Sequence, residues 1–459
     1  MAAPSTPGIE TKREYEQYWH AHQREMTQNA LLFPEIYRAF RRYVERPMTS
    51  KMLRDLQASR LNRILKKATE QVPAYAGQVS EAMAAADPFE WLDEFPLTSR
   101  KELAKRLPDY CADDINPVDC KAVVTSGTSG IPLKLVVSSE HLAHMHATAM
   151  RRNHAYGLAI DHKVLRPFWS LFPRWSEYNY PPWGLCRMAE WGPADDDSYL
   201  AEMIARSREF RPDTLFLRPS HCLKFQDALA TFPGPPLQLH AIQTYGEVLT
   251  SAARQRLVEY FGCQIYDLYG MREVGTIAAQ CERGAYHIEA ERIWLEVVDE
   301  NGRPVPDETQ GEIVITNLVN EAMPLIRYRT GDLGALRVSP CECVRPHKVL
   351  SLVGGRRPGM IRLSEDKTVD AFRVVSTIRR YPIERFQVIQ ESDLSVTILV
   401  SPGASFTEAH EREIVEHADA VLQKLVTARI DSTGRRPFLN STGGKAADFV
   451  SLVESGESP

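Results

Sequence analysis

Six small residues in a row, Thr125-Ser-Gly-Thr-Ser-Gly130, lie between two short apolar runs, Ala122–Thr125 and Leu133–Val137. Backbone N–H groups in such a run can turn toward an anion. The hydroxyls of Thr125, Ser126, Thr128 and Ser129 add donors, and Gly127 and Gly130 let the backbone approach a phosphate closely. No Gly-Lys-Ser/Thr follows, so this is not a Walker loop. Taken alone, the run reads equally well as a flexible surface loop. Tyr269-Gly-Met-Arg-Glu-Val-Gly275 follows an apolar run, and the Glu273 carboxylate there suits Mg²⁺ beside phosphates. In Tyr328-Arg-Thr-Gly-Asp-Leu333, Asp332 stands at a turn from which it can accept both hydroxyls of a ribose. Lys445, in the glycine-flanked run Thr442-Gly-Gly-Lys-Ala446, can reach a carboxylate and an α-phosphate together and stabilise transition-state charge. Each of these, alone, is also an ordinary solvated turn residue.

Two further groups stand out. Cys281 and His287 lie just past Glu273, and Cys341 and Cys343 follow some fifty residues later. Three thiols and one imidazole make a tetrahedral set for structural Zn²⁺. Four protein ligands leave no open position for catalysis. The other reading is four unrelated residues near surface turns. Between Lys163 and Trp191 the chain is rich in proline and aromatics, among them Trp169, Phe172, Trp175, Tyr178 and Trp183, which suit a pocket for a flat acyl group or ordinary core. His141, His144 and His146 read as packing or solvated residues on a helix.

The elements that must position these groups are those of a mixed α/β protein. The 459 residues suggest two to three domains, and 43% hydrophobic with 25% charged residues is a globular composition. A net charge of -5, with no long basic run, argues against nucleic-acid binding through a broad patch. No signal peptide and no run long enough to span a membrane is found, and eight sparse cysteines fit a reducing cytoplasm. Leu53, Leu56, Leu61, Ile64 and Leu65 recur at helical spacing until Val72-Pro73, and Ser99 with Glu102 forms a capping-box signature. From Pro212 to Tyr269, β/α units are expected. From Ile288 to Leu352, alternating β-branched runs and the turn at Glu300-Asn-Gly-Arg303 predict a small antiparallel sheet or barrel. A domain boundary is placed after Gly354, giving residues 1–354 and a small C-terminal domain, 355–459.

Phosphate loop, Tyr-Gly-x-x-Glu, Arg-Thr-Gly-Asp and late Gly-Lys, in this order, resemble the adenylate-forming superfamily of acyl-CoA synthetases, luciferases and adenylation domains. Arg60-Leu-Asn-Arg-Ile-Leu-Lys66, Pro73-Ala-Tyr75, Phe95-Pro-Leu-Thr-Ser-Arg100 and Tyr245-Gly-Glu-Val-Leu249 are similar to the phenylacetate–CoA ligase branch, and the likeness covers nearly the whole chain. The resemblance implies a large N-terminal α/β domain with a small β-barrel, and a mobile C-terminal α+β domain swinging about a hinge at Gly354-Gly-Arg356. It implies that Thr125–Gly130 grip the ATP phosphates and that Glu247, Tyr269 and Gly270 line the adenine and acyl walls. Glu273 would hold Mg²⁺, Asp332 the ribose, Arg356 would join the nucleotide set, and Lys445 would catalyse adenylation. The implied reaction is ATP-dependent activation of a small, aromatic acid as its acyl-AMP, with release of pyrophosphate and transfer to CoA. Similar proteins are often dimers. Three departures stand out: Arg272 precedes the metal glutamate where the branch has Thr, which bears on ATP handling or the choice of acid, while no acid follows Arg356 and Leu363-Ser-Glu-Asp-Lys-Thr368 replaces an Arg-Gly-rich loop, which bear on the CoA step. They leave open a carrier protein, an amine, or nitrite activated for diazotisation of an arylamine as the second reactant.

Overall fold

The computed structural model describes residues 33–44, 48–77, 87–116, 120–124, 133–167, 175–179, 187–191, 197–338, 340–343, 345–356, 360–364, 366–439 and 448–453. Helix α1 (Phe33–Val44) leads to α2 (Ser50–Gln71), whose first turn is capped by the Thr49 side chain on Met52 N. Leu53, Leu61, Ile64 and Leu65 form its buried stripe, while Leu56 is only partly covered. Pro73 cannot continue a helix, and the chain turns there. Short helices α3 (Pro88–Leu92) and α4 (Arg100–Lys105) follow. The capping box at Ser99 and Glu102 forms as the sequence predicts.

Strands β1 (Cys120–Val124) and β2 (Lys134–Ser138) pair as an antiparallel hairpin on either side of the small-residue run. Helix α5 (Ser139–Ala155) starts directly from β2, capped by Ser138 on His141 N. Then come β3 (Val164–Pro167), β4 (Ser176–Asn179), β5 (Arg187–Trp191), α6 (Asp197–Phe210), β6 (Thr214–Leu217), α7 (Pro219–Thr231), β7 (Ala241–Tyr245), α8 (Ser251–Phe261) and β8 (Gln264–Met271). Strands β3, β5, β6, β7 and β8 are parallel neighbours, as the expected β/α units require. Their apolar runs are buried because helices cross over the sheet, and Leu215, Ile242, Ile265, Leu257 and Phe225 share one core.

The sheet continues as antiparallel β9 (Gly275–Gln280), β10 (Tyr286–Ile288), β11 (Ile293–Val298), β12 (Gly311–Asn317), β13 (Tyr328–Leu336) and β14 (Val349–Arg356). All join one twelve-stranded sheet, running from β11 at one edge to β4 at the other. The expected antiparallel strands are present, and a small β-barrel is not confirmed. The Ile288–Leu352 region extends the main sheet, and among the described strands it does not close on itself. Its apolar face packs on α2, Trp91 and Phe95, so burial against helices replaces closure.

Past a small hairpin, β15 (Met360–Arg362) with β16 (Thr368–Asp370), the chain forms α9 (Phe372–Ile378), β17 (Ile383–Gln390), β18 (Val396–Pro402), α10 (Glu408–Val421), β19 (Ala428–Asp431) and β20 (Phe449–Ser451). These give a separate four-stranded sheet, ordered β19-β18-β17-β20, with its own core around Val374, Ile378, Val388 and Ile398. No described helix is long and apolar enough to cross a membrane.

Candidate active site and cysteine–histidine cluster

Strand β8 delivers Tyr269, turns tightly through Arg272-Glu273-Val274, and returns as β9. Two glycines permit this hairpin. A Cβ on Gly270 would lie 2.5 Å from Gly275 O, and Gly275 takes φ +77° against Met145. Glu273 is buried, while Arg272 beside it is exposed. Arg292, with no solvent exposure, donates from Nη1 to Val274 O at 2.9 Å and from Nη2 to Thr276 O and to Glu289 Oε2, fixing the turn from beneath.

Asp332 reaches the same hairpin from β13. Gly331 adopts φ +76°, the register of β13 shifts on both sides near Asp332, and Thr330 Oγ1 accepts from Asp332 N at 3.0 Å. Such bulges re-aim a side chain. Here the bulge brings Asp332 Oδ2 to 2.7 Å from the Tyr269 hydroxyl, which donates to it. Backbone pairing sets Asp332 opposite Arg356 on β14. The ribose and nucleotide candidates Tyr269, Gly270, Asp332 and the backbone of Arg356 are thus held together, although 87 residues separate the first from the last.

A residue with no chemical signal in the sequence completes this corner. Arg100 Nη1 donates to Glu273 Oε1 at 2.6 Å, with the Glu273 side chain 3% exposed. Thr98 pairs with Tyr328, with Thr98 N on Arg327 O at 3.0 Å and Arg329 N on Thr98 O at 2.9 Å, so the strand bearing Asp332 also carries Arg100 to Glu273. The only hint was that Phe95–Arg100 is a stretch of family likeness. A buried carboxylate needs a cation nearby, and Arg100 supplies it. The same carboxylate is the one that would hold Mg²⁺ beside phosphate oxygens.

Glu247 lies past Gly246, which takes φ +77°, and Glu247 Oε2 accepts from Ser220 N at 3.1 Å. A carboxylate at the start of α7 is favoured by the helix dipole. Ser220 and Glu247 also line a cleft whose other wall is Glu384, Arg385, Phe386 and Asp448 from the C-terminal sheet. Thr125–Gly130, Lys445, Trp169, Phe172 and Trp183 lie outside the described residues. Trp175 packs 6.1 Å from Phe210 in the core beside the parallel strands. The three histidines fall on α5, buried. His144 accepts from the Tyr43 hydroxyl or donates to it, and burial with the nearby Arg60 charge lowers it to about 3, so it is neutral.

Beneath Tyr269, Asp267 is enclosed by the hydroxyls of Thr244 and Tyr286. Burial lifts its carboxyl to about 6, against the pull of those two donors.

Cys281, His287, Cys341 and Cys343 converge. Their ligand atoms all lie within 4.8 Å of one another. Cys281 Sγ and Cys341 Sγ are 3.7 Å apart, and Cys343 Sγ is 3.1 Å from His287 Nε2. A tetrahedral zinc with bonds of about 2.3 Å to sulfur separates its sulfurs by about 3.8 Å, so the donor set fits the ion. His287 Nδ1 lies 3.0 Å from His347 O, a contact that orients the ring with Nε2 toward the thiols. Cys281 directly follows β9, whose first residue, Gly275, lies two past Glu273.

The profile of the family described as AMP-binding enzyme matches residues 51–318. The chain belongs to that family. It lies in the adenylate-forming superfamily, on the phenylacetate–CoA ligase-like branch. It is 28% identical over 335 residues to a phenylacetate-coenzyme A ligase of Thermus thermophilus, covering 67% of this chain and 71% of the relative. It is 27% identical over 322 residues to that of Escherichia coli, covering 67% and 72%. The fold superposes on a crystal structure of 2-hydroxyisobutyryl-CoA ligase in complex with 2-HIB-AMP, with a TM-score of 0.66, 17% identity, and coverage of 88% of this chain and 90% of that one.

Proposed function

We propose that this protein is an ATP-dependent, AMP-forming acid–thiol ligase: it joins a small, aromatic carboxylic acid to AMP, releases pyrophosphate, and transfers the acyl group to CoA. The observation that carries this reading is the corner made by Tyr269, Asp332, Glu273 and Arg100, a metal-type carboxylate on the β8–β9 hairpin and a ribose-type carboxylate bonded to that hairpin from β13, in a chain whose relatives are phenylacetate–CoA ligases. In this reading Asp332, oriented by Tyr269, takes the ribose hydroxyls, and Glu273 holds Mg²⁺ at the phosphates. Gly270 gives the nucleotide close access to the backbone. Thr125–Gly130 grip the phosphates, Glu247 and Arg356 flank the nucleotide, and Lys445 stabilises charge as the acid oxygen attacks the α-phosphorus. Residues 1–354 form the adenylation domain and 355–459 the domain that supplies Lys445, with Gly354-Gly-Arg356 as hinge. The Cys281, His287, Cys341 and Cys343 cluster holds a structural Zn²⁺.

The test is acid-dependent pyrophosphate release from ATP over a panel of aryl and short-chain acids, each with CoA, without CoA, and with an arylamine plus nitrite. Release that needs an aryl acid and is accelerated by CoA is the expected result. Release that ignores CoA and needs an amine, or silence under every condition, overturns the reading. Lys445→Ala should abolish acyl-AMP formation while leaving ATP binding within a few-fold.

A further inference from the structure

Three parallel strands set a row of side chains on the face that α5 covers. Residues paired across a parallel ladder point to the same side of the sheet, and Phe216 of β6, Gln243 of β7 and Tyr266 of β8 are paired in this way. Asn153 Oδ1 on α5 accepts from Gln243 Nε2 at 3.1 Å. Tyr156, which caps α5, stacks on Tyr266 with ring centroids 3.6 Å apart. Asn153 and Gln243 are 4% and 1% exposed. Their amides make one bond to each other, and among the described residues Asn153 Nδ2 and Gln243 Oε1 find no hydrogen-bond partner. Exchanging O and N in both amides leaves the same inventory, one unmatched donor and one unmatched acceptor. Burying such groups unmatched costs stability, so their presence asks for a partner from outside the chain. Two residues further along β7, on the same face, Tyr245 stacks on Phe216 with centroids 4.6 Å apart, and both rings are half-buried. Tyr245 pairs with Leu268, which precedes Tyr269 of the nucleotide corner. This is the carboxyl end of the parallel strands, where open α/β sheets take their ligands. An aromatic shelf thus stands beside the nucleotide corner, with a buried amide floor one strand repeat deeper.

We infer that the acid activated here carries a hydroxyl group at the end of its ring remote from the carboxyl, and that Asn153 and Gln243 select it. A hydroxyl accepts one bond and donates another, which complements the donor and the acceptor that the two amides leave over. A methyl group fills a similar volume and matches neither. The carboxyl then stands at the nucleotide corner and the ring lies on the Phe216–Tyr245 shelf. Apolar walls with a few placed polar groups are how pockets of this kind fix orientation. The inference rests on the reading that the chain adenylates an aryl acid, and it names the class of that acid as phenolic.

The test is ATP–pyrophosphate exchange with matched acids: para-hydroxybenzoate against para-methylbenzoate, their meta isomers, and para-hydroxyphenylacetate against para-methylphenylacetate. In at least one pair, kcat/KM for the hydroxy acid should exceed that for the methyl acid by roughly a hundredfold, because a site built to bond a hydroxyl rejects the analogue that lacks it. The double variant Gln243→Met/Asn153→Leu replaces both amides with apolar groups of similar shape and leaves neither stranded. In it the ratio should fall to within about fivefold, through a loss on the hydroxy acid and a gain on the methyl acid, with KM for ATP moved by less than about twofold. Gln243→Met alone strands the Asn153 amide and should lose the hydroxy acid without gaining the methyl one. Wild-type ratios near one in every pair overturn the inference, while the exchange itself upholds adenylation. Equal slowing of both acids in the single and double variants also overturns it, and makes the two amides packing groups of the core. No exchange with any aryl acid sinks the underlying reading and this inference with it.

Discussion

Tyr269 and Asp332 are polar residues of an ordinary kind, and their geometry is what sets them apart. The phenol donates to a carboxylate that sits on a bulge, so the carboxylate is aimed before any nucleotide arrives. Tyr269→Phe keeps the ring and removes that donor. A hydrogen bond to a charged group contributes roughly 1.5 kcal/mol, which is about tenfold in affinity. KM for ATP should rise by about that factor with kcat changed less than about threefold, as initial rates at saturating acid will show. An unchanged KM would mean that Asp332 needs no orientation. Asp267 offers a second test at this scale. Its carboxyl is raised to about 6 by burial, so the folded protein favours the protonated form. That stabilisation is complete below the ordinary carboxylate value near 4 and is lost as pH rises toward 6. Asp267→Asn should therefore gain on wild type as pH rises from 4 through 6, by up to about 3 kcal/mol, and hold a constant difference above about pH 7. Urea melts of both proteins at pH 4, 5, 6 and 7 check this, and a difference that does not move with pH would contradict it.

The hairpin β8–β9 is the element on which the site depends. Its turn carries Glu273, and its far end carries Cys281. The cysteine–histidine cluster joins that far end to His287 on β10 and to the 341–343 turn, which the chain reaches only after β13. Metal bound there would brace strands that neighbour one another through side chains as well as ladders. The purified protein should hold about one zinc per chain, and Cys343→Ser should lose it with a fall in melting temperature of several degrees. Elemental analysis beside thermal melts checks both. A metal-free wild type with unchanged melting would leave the cluster as four packed side chains. Arg292 braces the same hairpin without metal. It is fully buried and bonds Val274 O at 2.9 Å and Glu289 Oε2 at 2.6 Å. The local sequence offers Glu289 three residues before it, but nothing in it marks the Val274 and Thr276 carbonyls and the Thr148 hydroxyl that also receive its donors.

At the scale of the whole molecule, polar side chains join the C-terminal sheet to α8 and to Thr250, which caps it. Arg256 on α8 pairs with Glu384 on β17 at 2.7 Å and also with Asp227 on α7, and Thr250 Oγ1 donates to Glu384 O at 3.0 Å. A partly exposed pair of this sort contributes about 1 kcal/mol or less. If the C-terminal domain moves about the proposed hinge, that is enough to bias its docking and too little to lock it. Glu384→Gln should accelerate tryptic cleavage in the 353–360 region by a few-fold while global stability changes by less than about 1 kcal/mol. Cleavage as slow as in wild type would show that other contacts hold the domains.

Much of this protein was legible before any coordinates. Alternation and helical spacing predicted the α2 stripe, the capping box at Ser99, the parallel β/α units and the strands around the small-residue run, because these depend on residues within a turn or two of each other. The order of short motifs pointed to adenylate chemistry for the same reason: each motif is a local backbone demand, such as the glycines of β8–β9 and the left-handed Gly331. What only the tertiary structure decided is non-local. Arg100 meets Glu273 across 173 residues, and His287 meets Cys343 across 56. The antiparallel region joins the main sheet rather than closing as a barrel, because closure or extension depends on which helices are available to cover its apolar face, and a strand's own residues carry no record of that.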